Sequence, residues 1–514
     1  TSHLSDFYFL VQEMGGSSFG SGAILYILDE TRTIVTELLT SEEVVVADNT
    51  VENDINQMDE RQRDEALCDL LNSELICALG CTEPIAVAYA AALARLVLGC
   101  EPETLEVGCS GNIIKNVKSV TVPNSDGMRG VEAAAVLGAV GGNAAAALEV
   151  LETVTDADRA HARELLAKPD YCDVELVEGV PNLYIEVHAR ALDHVAEVAI
   201  SEHHTNVVRC MRDGVPATQL CPAARGGDVV DACSGTCALM AAAAPQDGEQ
   251  KREAELSRPL GGLSLDAILD FAESGDISFA REALERQLTL NKDISDEGLA
   301  NAWGAEVGRT LLATRGDDVA CRARARAAAG SDARMSGCAL PVAIVCGSGN
   351  QGITCAMPVL TYAEDLGIDR ERTLRALALA DLVAIHTKSY IGALSAFCGV
   401  VCAACGAGAA IAWMRGGSRE QIGATVVNTL GNVGGIVCDG AKASCAAKIS
   451  AAVDAAILGC DMALADRGFR AGEGVVQDTV EETIAAMGYV GRVGMKDTDV
   501  EILNIMIGKT EVDA

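Results

Sequence analysis

Apolar residues recur at helical spacing over residues 58–79, where Ala66, Leu67, Leu70, Leu71 and Leu75 fall near a 3.6-residue period, and this predicts a charged amphipathic helix. A second, almost wholly apolar helix is expected over residues 85–98, with Pro84 near its first position, where an amide proton has no helical partner to lose. From residue 105 to about 208 the pattern changes. Short β-branched runs at residues 117–122, 174–177, 183–187 and 195–200 read as strands, interrupted by an Ala-rich helix over 130–151. After a stretch at 222–262 that carries Gly, Ala, Pro and scattered charges, helical periodicity and alanine dominate almost to the end. The expected class is therefore α+β: a mixed region over 58–221, a linker at 222–262, and a mainly helical domain over 263–514. Residues 1–57, with five aromatics, ten acidic residues, Arg32 as sole basic residue and no cysteine, differ from the rest of the chain and read as an appendage of unknown role.

Composition narrows the function classes. A formal charge of −35 opposes contact with phosphate backbones and anionic lipid heads, so nucleic acid and membrane surfaces are not expected partners. The uncharged run at 393–414 is long enough to cross a bilayer, but it is built of Ala, Gly and Cys and reads better as a buried helix packed through small residues. Twenty cysteines are scattered through the chain without a secretory leader ahead of them, which predicts reduced thiols and a cytoplasmic location.

Among those thiols, Cys438 and Cys445 lie around an expected helix start in GGIVCDGAKASCAAKI, and Cys398 far upstream can join them only through the tertiary fold. Three thiolates favour a soft centre, iron–sulfur or zinc. Most cysteines in such a chain are small apolar core residues, and Cys402 and Cys405 stand close enough to Cys398 to replace it; Cys233 and Cys237 form another pair in the linker. Cys81, in Gly80-Cys81-Thr82-Glu83-Pro84, sits at a helix start, where the partial positive charge is expected to lower its pKa and make it a nucleophile or base; a plain capping turn is the competing reading. Further polar clusters interrupt apolar sequence: Ser110-Gly111-Asn112 with Lys115 and Asn116, His203-His204-Thr205-Asn206, Ser331-Asp332-Ala333-Arg334, and the loop Gly347-Ser348-Gly349-Asn350-Gln351-Gly352, which lacks the Gly-Lys-Ser/Thr ending of a P-loop.

Taken in order, GCTEP at 80–84, SGNIIKN at 110–116, HTN at 204–206, SDARMSG at 331–337, GSGNQGI at 347–353, CDGAKASC at 438–445 and the closing GRVGMKDTDVEILNIM at 491–506 resemble the L-cysteine desulfidase family. The helical half is also similar to the α-chain of iron–sulfur L-serine dehydratases. That resemblance implies a 4Fe–4S cluster held by three protein cysteines at Cys398, Cys438 and Cys445, and a β-elimination that turns L-cysteine into pyruvate, ammonia and hydrogen sulfide. Charge and position within these motifs make Cys81 the expected base, and Thr82, Glu83, Asn112, Lys115, His204, Asn206, Ser331, Arg334, Ser348 and Asn350 the expected substrate-binding residues, with Arg334 or Lys115 on the carboxylate. The alternatives are an L-serine dehydratase, a non-catalytic iron–sulfur redox sensor, and pyridoxal phosphate catalysis, for which no lysine has a fitting context. The partner is expected to be a small amino acid, and the chain is compatible with a homodimer.

Overall fold

A reciprocal capping box between Asp59 and Gln62 opens helix α1 (Glu60–Glu74) in the computed structural model, which describes residues 54–217, 219, 261–392 and 394–510. Residues 1–53 of the appendage and 222–260 of the expected linker, Cys233 and Cys237 among them, lie outside the described residues. Helix α1 stops earlier than its periodicity predicts, because β1 (Cys77–Leu79) pairs antiparallel with Pro341–Ala343. The next helix, α2 (Thr82–Leu98), begins ahead of the expected start with Cys81 as its N-cap; Pro84 falls inside the first turn, where amides lack intrahelical acceptors in any case.

Strand β2 (Thr104–Cys109) precedes a departure from expectation. Residues 117–122 form no strand: Ser110 caps a short helix α3 (Gly111–Val117), and of the remainder only Thr121 makes an isolated bridge, to Arg129. The local cap, with the Ser110 hydroxyl accepting the Ile113 amide, outweighs the β-branched preference of the run. The Ala-rich stretch likewise splits. Helix α4 (Val131–Gly141) ends at its Gly141-Gly142 pair and a 3-10 segment (Ala144–Glu149) comes next, while a Thr155–Asp158 capping box starts α5 (Asp156–Leu166).

The other runs are strands, longer than their β-branched centres. β3 (Cys172–Leu176), β4 (Tyr184–Ala191), β5 (His194–Ser201), β6 (Val207–Arg212) and β7 (Val215–Pro216) join β2 in a six-stranded sheet of order β3-β2-β4-β5-β6-β7. Only the β2–β3 pairing is parallel. Helix α2 packs on β4 and β5 and against α4, so its apolar surface is buried almost all round.

The second half is helical: α6 (Leu265–Ser274), α7 (Arg281–Ala300), α8 (Val307–Arg315) and α9 (Val319–Met335), then strand β8 (Pro341–Ala343), then α10 (Gly349–Leu366), α11 (Arg370–Ser389), α12 (Val400–Met414), α13 (Arg419–Val433), α14 (Cys445–Leu464), α15 (Val480–Tyr489) and α16 (Lys496–Ile507). The architecture is thus α+β. Every residue of α12 is buried, among α10, α11, α13 and α14. Its small residues let backbones touch: a methyl at Gly406 would stand 2.0 Å from the Ala380 carbonyl oxygen of α11. Filling such a contact typically costs about 1–3 kcal/mol. Among the described residues no helix is long and apolar enough to cross a membrane.

Candidate active site

The start of α2 is held by two distant segments. The Arg334 guanidinium, near the end of α9, donates through Nε to the Gly80 carbonyl (2.8 Å), and the Thr82 hydroxyl lies between the Gly347 carbonyl (2.9 Å) and Glu83 Oε2 (3.1 Å). The motifs at 80–84, 331–337 and 347–353 therefore meet at one place. Asn116 of α3 joins them, donating to Glu83 Oε1 at 3.0 Å, and the His204 ring, from the turn between β5 and β6, lies against Gly347.

Cys81 is 1 % exposed and its thiol donates to Glu83 Oε2 at 3.2 Å. The helix start does not control it. Burial, then the Glu83 carboxylate, push the thiol well above its ordinary range against the opposing pull of Arg334, which corrects the expectation of a lowered pKa. Glu83 moves the other way: burial favours its neutral form, but His204, the Cys81 thiol and Arg334 together hold its carboxyl below the ordinary value. Burial keeps His204 neutral, lowering its pKa against the field of Glu83. The resting pair is thus a protonated thiol beside a carboxylate.

Several buried polar atoms around this pair have no protein partner: Asn112 Oδ1, Asn116 Oδ1, Asn350 Oδ1, Ser331 Oγ, Arg334 Nη2 and His204 Nε2. Orphans of this kind are rare in folded proteins, and a group of them calls for ordered water or a polar ligand. Helical spacing aligns them. Asn112 and Asn116 are four residues apart on α3, and Ser331, Arg334 and Met335 share a face of α9. Asn350, in the first turn of α10, donates to the Met335 sulfur at 3.6 Å.

The cysteine trio lies beside this group. An isolated bridge between Phe397 and Val437, with the Cys398 amide donating to the Ile436 carbonyl (2.9 Å) and the Cys438 amide to the Ala396 carbonyl (2.6 Å), sets Cys398 and Cys438 side by side. Their thiols share a hydrogen bond, which raises Cys398 and brings Cys438 down to about 6 against the cost of burial, with Lys115, the Gly440 amide and Lys448 adding to the lowering. Cys445, the first residue of α14, is near enough to act on Cys398 and is itself raised by burial. Gly440 fixes the loop on α3: its φ is +93°, and a methyl there would stand 2.2 Å from the Lys115 carbonyl oxygen. Cys81 packs with Val120 and Met335 in an apolar cluster separate from the main core, and Ala441 and Cys445 pack against it. The expected base and the thiol loop are therefore neighbours.

Among the described residues no three His, Cys, Asp or Glu side chains converge tightly enough for a single metal ion. A cubane spreads its thiolates over separate irons, so it asks for a wider triangle, and three thiols on converging segments, one of them lowered by its neighbour Cys398 and then by Lys115 and Lys448, fit that donor set. Cys402 and Cys405 are buried in α12, where Cys402 acts on Cys346, Cys355 and Cys405 rather than on the trio.

Other candidates fall elsewhere in the scheme. Asn206 donates to Ser201 (3.0 Å) and shapes its own turn, and Ser348 is the N-cap of α10 but makes no side-chain cap bond. Lys115, 1 % exposed, is ion-paired to Asp499 of α16, a partner the sequence pattern did not single out. Also unforeseen are Met335 as a lining residue and Gln351, whose buried Oε1 is another orphan and whose amide lies against Gly399, next to Cys398. Gln351 adjoins Asn350 in the loop motif, the one cue that could have marked it.

Comparison with known proteins gives the family. A model of the "Serine dehydratase alpha chain" family matches residues 145–504. A "UPF0597 protein" of Lachnoclostridium phytofermentans is 45 % identical over 441 residues, covering 86 % of this chain and 99 % of the relative. One from Finegoldia magna is 46 % identical over 442 residues, with 86 % and 99 % covered. One from Treponema denticola is 39 % identical over 455 residues, with 87 % and 99 % covered. With both the helical half and nearly the full length of these relatives matched, the chain belongs to the serine dehydratase alpha chain family of lyases, within its UPF0597 branch.

Proposed function

We propose that this protein is an iron–sulfur-dependent lyase that eliminates the β-substituent of a small α-amino acid, with L-cysteine as substrate and pyruvate, ammonia and hydrogen sulfide as products. The observation that carries the reading is the inventory of orphaned atoms beside the Cys81–Glu83 pair. Three amide oxygens, on Asn112, Asn116 and Asn350, match the three N–H groups of an ammonium; Arg334 Nη2 and Ser331 Oγ match a carboxylate. An α-amino acid zwitterion has both.

Cys398, Cys438 and Cys445 would hold a 4Fe–4S cluster. When bound, it would supply a Lewis acid for the leaving group. The chain's own residues account for the rest. Arg334 and Ser331 fix the carboxylate so that the α-carbon faces Cys81. The Cys81 thiol passes its proton across 3.2 Å to Glu83 Oε2, and the thiolate takes the α-proton while the bond to the β-substituent breaks. The departing HS⁻ takes the proton held by Glu83 and leaves as hydrogen sulfide, which restores the thiol–carboxylate pair, and the remaining aminoacrylate tautomerises to the imine and adds water to give pyruvate and ammonia. Burial lowers the His204 pKa, so the ring packed toward Glu83 adds no buried cation at rest. Lys115 is engaged by Asp499 and supports Cys438, which leaves Arg334 for the carboxylate. The family match gives L-serine dehydratase as the second reading.

The test is anaerobic purification with iron and acid-labile sulfide quantified, then pyruvate and sulfide release from L-cysteine against pyruvate release from L-serine. Cluster with faster cysteine turnover supports the proposal, and faster serine turnover moves the reading to a serine dehydratase. Cluster without either activity sinks the elimination and leaves a redox sensor. A reconstituted protein that binds no iron removes the cofactor assignment.

A further inference from the structure

We infer that Gln351 receives the hydrogen of the substrate's β-substituent, so that the site takes amino acids bearing a free thiol or hydroxyl and rejects their alkylated derivatives. The inference rests on the amino-acid site proposed above and deepens it to a substrate class.

Gln351 is 4 % exposed and lies beside Asn350 in the first turn of α10. Its side-chain amide covers Gly399, where a methyl would stand 2.7 Å from both Cδ and Oε1. Gly399 directly follows Cys398, so this amide stands between the acceptors proposed for the ammonium and the first cysteine of the trio. Its orientation is fixed. Nε2 donates to the Cys346 carbonyl at 3.4 Å, and a flipped amide would set two oxygens against each other. Oε1 is the atom left without a partner.

A count of donors and acceptors gives Oε1 its use. The site holds four unpartnered amide oxygens, on Asn112, Asn116, Asn350 and Gln351. An ammonium brings three N–H donors, which leaves one acceptor over. L-Cysteine and L-serine each bring one further donor, the hydrogen on the β-heteroatom, and the β-substituent is the end that meets the trio in the proposed elimination. His204 Nε2, also unpartnered, belongs to the Glu83 side. Donation to Gln351 leaves the lone pairs of sulfur or oxygen for the Lewis acid, and the hydrogen departs with the leaving group as HS⁻ or HO⁻. A methyl in place of that hydrogen brings no donor, and the buried oxygen stays unsatisfied at a loss of about tenfold in affinity.

Isothermal calorimetry on the anaerobically purified, cluster-loaded Cys81→Ala protein, in which elimination is expected to be slow, tests this by binding. L-Serine carries the donor, and L-2-aminobutyrate puts a methyl in its place. Serine is expected to bind at least about tenfold more tightly, and adding Gln351→Met, near in shape but without an acceptor oxygen, to lower that ratio about tenfold at equal iron content. Gln351→Glu, which keeps an oxygen, is expected to hold the ratio, and Gln351→Ala serves if Gln351→Met does not fold. Equal binding of the two amino acids with Gln351 present overturns the inference, as does an unchanged ratio in a folded Gln351→Met or Gln351→Ala protein. A folded variant that cannot hold iron assigns Gln351 to the cysteine loop and overturns it as well. A ratio that falls as expected where the wild type yields no pyruvate keeps the acceptor and discards the elimination. Failure to bind either amino acid overturns both.

Discussion

Deep in the helical half, Asp381 of α11 faces Gln287 of α7, both fully buried, and the Gln287 amide donates to Asp381 Oδ1 at 3.0 Å. The two atoms left over, Asp381 Oδ2 and Gln287 Oε1, both lack partners. One proton on Oδ2 satisfies both, closing an acid–amide pair with two hydrogen bonds. The electrostatics agree: burial raises the Asp381 carboxyl from 3.8 to about 8 despite the Gln287 and Cys355 hydrogen bonds, which favour the charged form. Because the folded value is the higher one, this group's contribution to stability is fully present below the unfolded value and is lost as pH rises through the folded one. Within that window the folded chain holds a proton the unfolded chain has released, so stability falls by about 1.4 kcal/mol per pH unit. Asp381→Asn keeps the paired geometry, with its amide donating to Gln287 Oε1, and has no proton to lose. Relative to the wild type it is expected to gain roughly 3 kcal/mol between pH 5 and pH 7, then to level off above about pH 8. Urea midpoints for both proteins in anaerobic buffer at pH 5, 6, 7 and 8 measure the difference. Parallel curves across that range would falsify the protonated pair.

Other consequences are open to direct measurement. Gly440→Ala drives a methyl into the Lys115 carbonyl at a left-handed position, and is expected to cost about 1–3 kcal/mol and to lower iron per chain on reconstitution; full iron content would show that the loop tolerates displacement. Lys115→Met leaves the partly buried Asp499 carboxylate without its cation and is expected to cost about 3–5 kcal/mol, much of it recovered by adding Asp499→Leu; a double variant as unstable as the single one would deny the pairing. Arg334→Lys cannot reach both Gly80 and a carboxylate in the same way, so KM for the amino acid should rise about tenfold or more with a smaller change in kcat, and an unchanged KM would exclude Arg334 from the carboxylate. Cys81→Ala is expected to keep its iron while losing turnover by about a hundredfold or more, and full activity would remove Cys81 as base.

The chain displays its elements unevenly, for identifiable reasons. The β-branched centres of β3, β4 and β5 announce those strands, because hydrophobic alternation in a half-buried sheet is local information. The same rule misreads residues 117–122: the deciding event there is the Ser110 cap upstream, which commits the backbone to α3 before the run begins. β1 is absorbed into the pattern of α1 because its partner, β8, lies far along the chain. Site residues divide in the same way. Their motifs stand out as polar interruptions, but the motifs carry no distances, and only the fold brings Arg334 to Gly80 and Thr82 to Gly347.

Burial, with a carboxylate close by in sequence, explains the one electrostatic expectation that fails. A helix start stabilises a thiolate by its partial charge only while solvent or another cation shares the task, and at Cys81 burial removes the solvent while Glu83, two residues on, brings a full negative charge to within hydrogen-bonding distance. The consequence for catalysis is specific. A permanently ionised thiolate next to an iron–sulfur site would compete with substrate sulfur for the open iron and would be prone to oxidation. A thiol whose proton is held against Glu83 avoids both. The arrangement that defeats the simple helix-dipole argument thus keeps Cys81 protonated at rest, and under the proposed elimination its proton would leave only once an amino-acid zwitterion, for which the surrounding orphaned atoms are suited, is bound.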